Sequence, residues 1–341
     1  MNRRRWWLVA LLSVLALVGA ACGNDDDGGA VSDDDDKETT TTTAKPTFEA
    51  GTTMANLQAK GKIVVGTKFD QSGFGLKNPT SGEVEGFDVE IAKLVAQALF
   101  GGTVEEAKAK IEFTEAVSKN REPFIQQGTV DIVVATYTIN DARKQVVDFA
   151  GPYFEAEQDV MVKADDTTIK SVTDLNGKKV CTAKGSTSEK NVRAQAPRAE
   201  VVLYDTYALC AEALGDGRVT AVTTDNAILQ GFVKSSNGAY KLIGAPFSKE
   251  PYGIGLKKGD EAFRDFLNDT LEKIFENGEW GKAFDRTLGA AGLGLKTPPP
   301  PKVDRYTSTG STGSTSSSST ATTARSGSGS GGTTSSTQRS T

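Results

Sequence analysis

Short apolar runs alternate with amphipathic helical stretches along the middle of this chain, and the alternation starts twice. Ile63-Val64-Val65 precedes a helical stretch, Glu90–Leu99, in which Ile91, Leu94, Val95 and Ala98 recur at helical spacing and mark one buried face. Ile111-Glu112-Phe113 and Asp131–Thr136 read as further strands, with a short helix, Arg121–Gln127, closed by Gly128 between them. The pattern restarts after the turn Asn176-Gly177. Strand Lys178–Thr182 enters a loop of small residues, Gly185-Ser186-Thr187-Ser188, and then a helix near Glu189–Gln195. Strand Val201–Tyr204, helix Tyr207–Leu214 and strand Val219–Thr223 follow. After Pro251–Leu256, a last helix, Glu261–Asn277, spaces Phe263, Phe266, Leu267, Leu271, Ile274 and Phe275 along one side. This succession predicts an α/β fold with parallel sheets and binding loops at the strand ends. Two lobes are expected, 51–155 with a return segment at 250–296 and 156–249, joined near Glu155–Asp159 and Lys249–Gly253.

Both ends differ in composition. Three arginines, Arg3 to Arg5, precede an apolar run from Trp6 to Ala21, as in a secretory signal, and the run is short for a spanning helix. Gly19-Ala20-Ala21-Cys22 resembles a lipobox, with Gly19 where leucine is preferred. Residues 1–22 are therefore expected to be a lipoprotein signal whose Cys22 carries the lipid, holding the protein on the outer face of the cytoplasmic membrane. Residues 23–50 carry nine acidic and two basic side chains among threonines, and 297–341 run from prolines into Ser, Thr and Gly. Neither buries enough apolar surface to offset chain entropy, so a disordered tether and tail are expected.

The stretch 51–296 holds 30 basic and 34 acidic residues, a net charge of -4, which gives no nucleic-acid footprint. The chain contains no histidine. With only Cys181 and Cys210 in the central region, metal sites and Ser/His or Cys/His catalysis are excluded in practice, and no cofactor is expected. Two cysteines in an exported domain suggest a disulfide, with two buried thiols as the alternative.

The densest functional signal is Ala135–Arg143. Apolar Ile132-Val133-Val134 runs out into Thr138, and Arg143 follows five residues later. A hydroxyl at a strand end and a guanidinium one turn into the next element can converge on one carboxylate. The α-carboxylate of a free amino acid fits such a site.

Gly86-Phe87-Asp88-Val89-Glu90, Thr138 with Arg143, Val147-Asp148-Phe149, Pro152-Tyr153, Asp174-Leu175-Asn176-Gly177 and Tyr252-Gly253-Ile254 together resemble the amino-acid-binding branch of the bacterial solute-binding proteins that feed ABC importers. The likeness runs from about Leu57 to Leu288. Lys68-Phe69-Asp70-Gln71, Asn120-Arg121 and the Cys181/Cys210 pair look most like its glutamate-binding lipoproteins. The resemblance implies a periplasmic-binding-protein-like (type II) Venus flytrap with two hinge crossings, acting as a monomer. It places Thr138, Arg143 and the backbone at Thr136 on the α-carboxylate, and Asp225 on the ammonium. Ser186 and Thr187 would donate from the second lobe. Lys68 and Arg121 would clamp a second carboxylate, making L-glutamate the first choice and glutamine or aspartate the alternatives. Burying that carboxylate unpaired costs several kcal/mol.

Other readings stand beside these. Arg143 pairs equally well with Asp141 or Glu155 as a surface arginine, and Asp225 suits the N-cap of a helix starting at Ala227. Asp70 either meets the ammonium or caps a loop, and Tyr137 belongs to the cleft wall or the core. A sensor reporting to a membrane partner fits the same sequence as a transport subunit does. An enzyme does not, because the acid–base groups are only carboxylates, lysine and tyrosine.

Overall fold

The computed structural model describes residues 42–306. The leader, Cys22, most of the expected tether and most of the tail lie outside the described residues.

The first lobe starts with α1 (Thr53–Lys60), β1 (Ile63–Thr67) and a three-stranded meander of β2 (Asp70–Gln71), β3 (Gly75–Lys77) and β4 (Val84–Glu85). Next comes α2 (Phe87–Phe100), buried nearly all round because a sheet lies on one side and C-terminal helices on the other. Its first residue follows Gly86 at φ 124°, where an added Cβ would sit 2.3 Å from the Phe74 carbonyl oxygen. Only glycine fits there. Then come α3 (Val104–Lys108), β5 (Ile111–Glu115), α4 (Arg121–Gln127), β6 (Ile132–Val133), α5 (Asp141–Lys144) and β7 (Asp148–Ala156).

The second lobe comprises β8 (Gln158–Lys163), β9 (Lys179–Ala183), α6 (Thr187–Gln195), β10 (Glu200–Tyr204), α7 (Tyr207–Gly215), β11 (Ala221–Asp225), α8 (Asn226–Ser235) and β12 (Tyr240–Leu242). The chain then returns through β13 (Glu250–Leu256) to α9 (Glu261–Glu276) and α10 (Glu279–Phe284) against the first sheet.

Each lobe is built on a five-stranded sheet, in the orders β5-β1-β6-β13-β7 and β10-β9-β11-β8-β12. The sheets are mixed, which corrects the parallel expectation. β5, β1 and β6 are parallel, but β13 comes back from the other lobe and inserts antiparallel between β6 and β7. In the second sheet β8 runs antiparallel to β11, and β12 to β8. The strand read as Asp131–Thr136 pairs only over Ile132–Val133, because the chain then bends into the turn at Thr136, whose φ is 45°.

The larger core packs Phe74, Phe87, Tyr153, Phe154, Tyr252 and Trp280 edge-to-face or stacked in the first lobe, and two smaller clusters flank the second sheet. The packed unit reaches past 51–296 at both ends. Phe48 stands edge-on to Phe266 with ring centres 5.3 Å apart, and Thr43 pairs with Gly102 through two backbone bonds. At the other end Val303 is buried, Asp304 donates its N–H to the Gly151 carbonyl, and the Tyr306 hydroxyl accepts from the Phe149 N–H at 2.7 Å. Composition missed these segments because isolated anchors sit in otherwise polar runs.

Candidate functional site

The second helix starts the site. Gly86 turns the chain so that Asp88, fully buried, accepts the Thr136 N–H at 2.8 Å on one carboxylate oxygen and the Tyr153 hydroxyl at 2.6 Å on the other. Burial pushes the Asp88 carboxyl up to about 6. Asp88 thereby pins the turn after β6 and fixes where the Ala135 and Thr136 carbonyls point.

Those carbonyls receive Arg121 Nη1, each at 3.1 Å, and Nε donates to the Ser118 carbonyl at 3.3 Å. Arg121 is 3% exposed at the start of α4, and its guanidinium lies 4.5 Å from the centre of the Tyr137 ring. Arg143, 5% exposed, lies 4.8 Å from the same ring. The alternatives for Tyr137 thus merge: its ring packs on Phe149 in the core and carries both arginines. Lys68, 3% exposed just past β1, donates Nζ to Ser118 Oγ at 2.9 Å. Burial first, and Arg121 next, lower its ammonium to about 7. Neither Lys68 nor Arg121 faces bulk solvent.

Arg143 donates Nη1 to the Thr138 carbonyl at 2.7 Å and Nε to Glu122 at 2.9 Å. Its ion-pair partner is Glu122, where sequence reasoning had weighed Asp141 or Glu155. The signal was available, since Glu122 follows Arg121 at the start of α4. Arg143 Nη2 also reaches the Gly185 carbonyl of the second lobe at 3.4 Å.

Opposite these cations stands Asp225, 3% exposed at the end of β11. It holds the N-cap position of α8 but makes no side-chain cap bond. One carboxylate oxygen accepts the Tyr252 hydroxyl at 2.5 Å, and Oδ1 is buried without a hydrogen-bond partner. Burial, then the charge of Glu250, raises its carboxyl to about 7. Thr187 Oγ1 stands 3.4 Å from Thr138 Oγ1 across the lobes, while Ser186 Oγ caps α6 by accepting the Glu189 N–H at 3.0 Å. Gly185 is needed here, because an added Cβ would lie 2.8 Å from Lys119 Cα of the other lobe.

Asp70, expected either to meet the ammonium or to cap a loop, is engaged with a helix start. Its carboxylate accepts the N–H groups of Tyr207 and Ala208, at 3.0 and 3.2 Å, at the start of α7 in the second lobe. Cys181 and Cys210 are bonded, joining β9 to the same helix. Sequence reasoning also missed Gln71, which accepts the Thr136 hydroxyl and keeps a buried, unpartnered amide nitrogen.

Comparison with known proteins places the chain in a family. The profile of bacterial extracellular solute-binding proteins, family 3, matches residues 63–290. The ABC transporter glutamine-binding protein GlnH of Bacillus subtilis is 45% identical over 237 residues, 69% of this chain and 84% of that protein. The glutamate-binding protein GluB of Corynebacterium glutamicum is 39% identical over 235 residues, 67% of this chain and 79% of that protein. Among solved structures, an ancestral arginine-binding protein bound to glutamine superposes with a TM-score of 0.62 at 38% identity, covering 67% of this chain and 98% of that one.

Proposed function

This chain belongs to the bacterial extracellular solute-binding proteins, family 3, and from that premise we propose that it captures a free amino acid, L-glutamate first, between its lobes and hands it to an ABC importer. The observation that carries the reading is the charge layout. Three buried basic side chains, Lys68, Arg121 and Arg143, stand on one lobe, and a buried carboxyl group with an unpartnered oxygen, Asp225, stands on the other. That arrangement complements a zwitterion with an extra negative group.

Arg143 and the Thr138 hydroxyl take the α-carboxylate. Asp225 takes the ammonium, whose arrival supplies the missing donor for Oδ1. Lys68 takes the γ-carboxylate, and Arg121, already spent on three backbone carbonyls, contributes its field and holds Ser118 in place. Thr187 closes over the ligand from α6. The secretory leader with Cys22 would tether the protein to the membrane beside its importer.

Glutamine is the serious rival, because relatives named for glutamine and for glutamate both match this chain. A site that leaves a cation unpaired with the neutral ligand discriminates against it. Isothermal titration with both ligands tests this. The parent protein should prefer glutamate, and Lys68→Met should remove that preference while keeping glutamine binding. Arg143→Ala should bind neither, with losses of about 2–5 kcal/mol, as expected when one side of a buried charge pair is removed. Tighter binding of glutamine by the parent refutes the dicarboxylate preference, and full binding by Arg143→Ala refutes the site.

A further inference from the structure

Glu250 opens β13 where the chain crosses back to the first lobe, and it is 2% exposed. Its Oε1 accepts from Asn191 Nδ2 at 2.9 Å and from Ser248 Oγ at 2.7 Å. Its Oε2 is buried and has no hydrogen-bond partner. Strand alternation puts Glu250 on the same face of β13 as Tyr252, and Tyr252 donates its hydroxyl to Asp225. Asp225 also keeps one buried oxygen without a donor. Both carboxylates therefore hold an unsatisfied oxygen, and they are near enough for the charge of Glu250 to act on Asp225. A cavity of about 360 Å³ opens beside Glu250, lined by it, Asn191, Thr138 and Thr187. Lys190 and Lys249 line it too, but both are exposed and neither satisfies Glu250 Oε2.

A buried carboxylate oxygen without a donor is costly, and the cost falls when the group takes a proton or when a donor or cation arrives. A primary ammonium presents three N–H groups and one positive charge, which suits two such oxygens. Resting on the amino-acid reading above, we propose that Glu250 acts with Asp225 as a second acceptor for the ligand's ammonium group, so that the pair rejects dicarboxylates lacking an amine. Glutarate and 2-oxoglutarate carry both carboxylates of glutamate but would face Asp225 and Glu250 with no positive charge between them. The negative pair repels them.

Glu250→Gln removes the charge while leaving an acceptor for Asn191 and Ser248. The parent and this variant would be titrated with L-glutamate, L-glutamine and glutarate, with melting curves confirming that each protein is folded. The variant should lose about 10- to 100-fold in affinity for both amino acids and should gain glutarate binding. A residue that only stiffens the hinge would weaken all three ligands together. Equal losses, no loss, or loss for the amino acids without a gain for glutarate each overturn the assignment. Should Glu250→Gln fail to fold, Glu250→Asp keeps the charge but withdraws it by one methylene. It should weaken the amino acids alone, and unchanged affinity for them overturns the proposal. A parent that binds no amino acid would instead defeat the amino-acid reading.

Discussion

At the residue scale the site is governed by groups whose charge depends on what sits between them. Lys68 has its ammonium lowered to about 7 by burial and by Arg121, with Arg143 adding to the repulsion and Asp70 and Asp88 opposing it. Asp225 is raised to about 7 by burial and Glu250, against the pull of Arg121 and Arg143. The signs of their linkage to ligand are opposite. Above about 7 the free protein holds Lys68 largely neutral, and a γ-carboxylate favours the charged form, so binding takes up a proton. Below about 7 Asp225 is largely protonated, and an ammonium favours its anion, so binding releases one. Calorimetry in buffers of different ionisation enthalpy should show uptake with glutamate near pH 8.5 and release near pH 6. Lys68→Met should abolish the uptake, as should glutamine as ligand; uptake that survives the substitution removes Lys68 from the γ-carboxylate. Arg143 and Thr138 could be read from spacing within one segment. Glu250 could not, because its importance depends on Asp225, which is distant in sequence.

At the element scale, the sequence disclosed which stretches are helices but not how they are fastened. The helix expected at Arg121–Gln127 forms with those limits and ends at Gly128 in the left-handed region, as its composition requires. The short β6 shows the reverse case. Its apolar residues promised a longer strand, but Asp88 draws the Thr136 N–H out of the sheet ladder. In the second lobe the Cys181–Cys210 bond holds α7 to β9, one turn from the amides that Asp70 reaches. Replacing both cysteines by alanine should cost about 3.6 kcal/mol on the chain-entropy estimate for a loop of this length. The melting temperature should then fall by roughly 7–14 °C for a domain of this size. Differential scanning calorimetry measures this, and an unchanged melting temperature would show that the bond contributes nothing to the second lobe.

At the scale of the whole molecule, the two lobes meet through an apolar seam, where Tyr207, Ala227 and Ile228 of the second lobe join the larger core, and through polar bonds. Asp70 reaches the start of α7, Arg143 reaches Gly185, Tyr252 reaches Asp225, and Lys119 pairs with Asp205 at 2.6 Å. Contacts made only when the lobes touch favour that conformation, and a ligand binding both lobes shifts the population further. Asp70→Asn removes the charge facing the α7 amides and should cost about 1 kcal/mol of closure, weakening glutamate roughly fivefold. Lys119→Ala should change affinity by less than about threefold, since exposed pairs contribute little. Titration of both variants, with small-angle scattering for compactness, distinguishes them. A larger effect from Lys119 than from Asp70 would overturn this ranking of the contacts.

The α/β alternation, the doubled pattern and the closeness of Thr138 to Arg143 were legible along the chain alone. Each of these is written in local periodicity or in residues a few positions apart, where backbone geometry does the arranging. Folding in three dimensions was needed to bring β13 in antiparallel, to set Asp70 against the opposite lobe, and to draw Phe48, Val303 and Tyr306 into the folded unit. These depend on which surfaces a returning chain finds, and burial and pairing between distant segments leave no mark on local sequence.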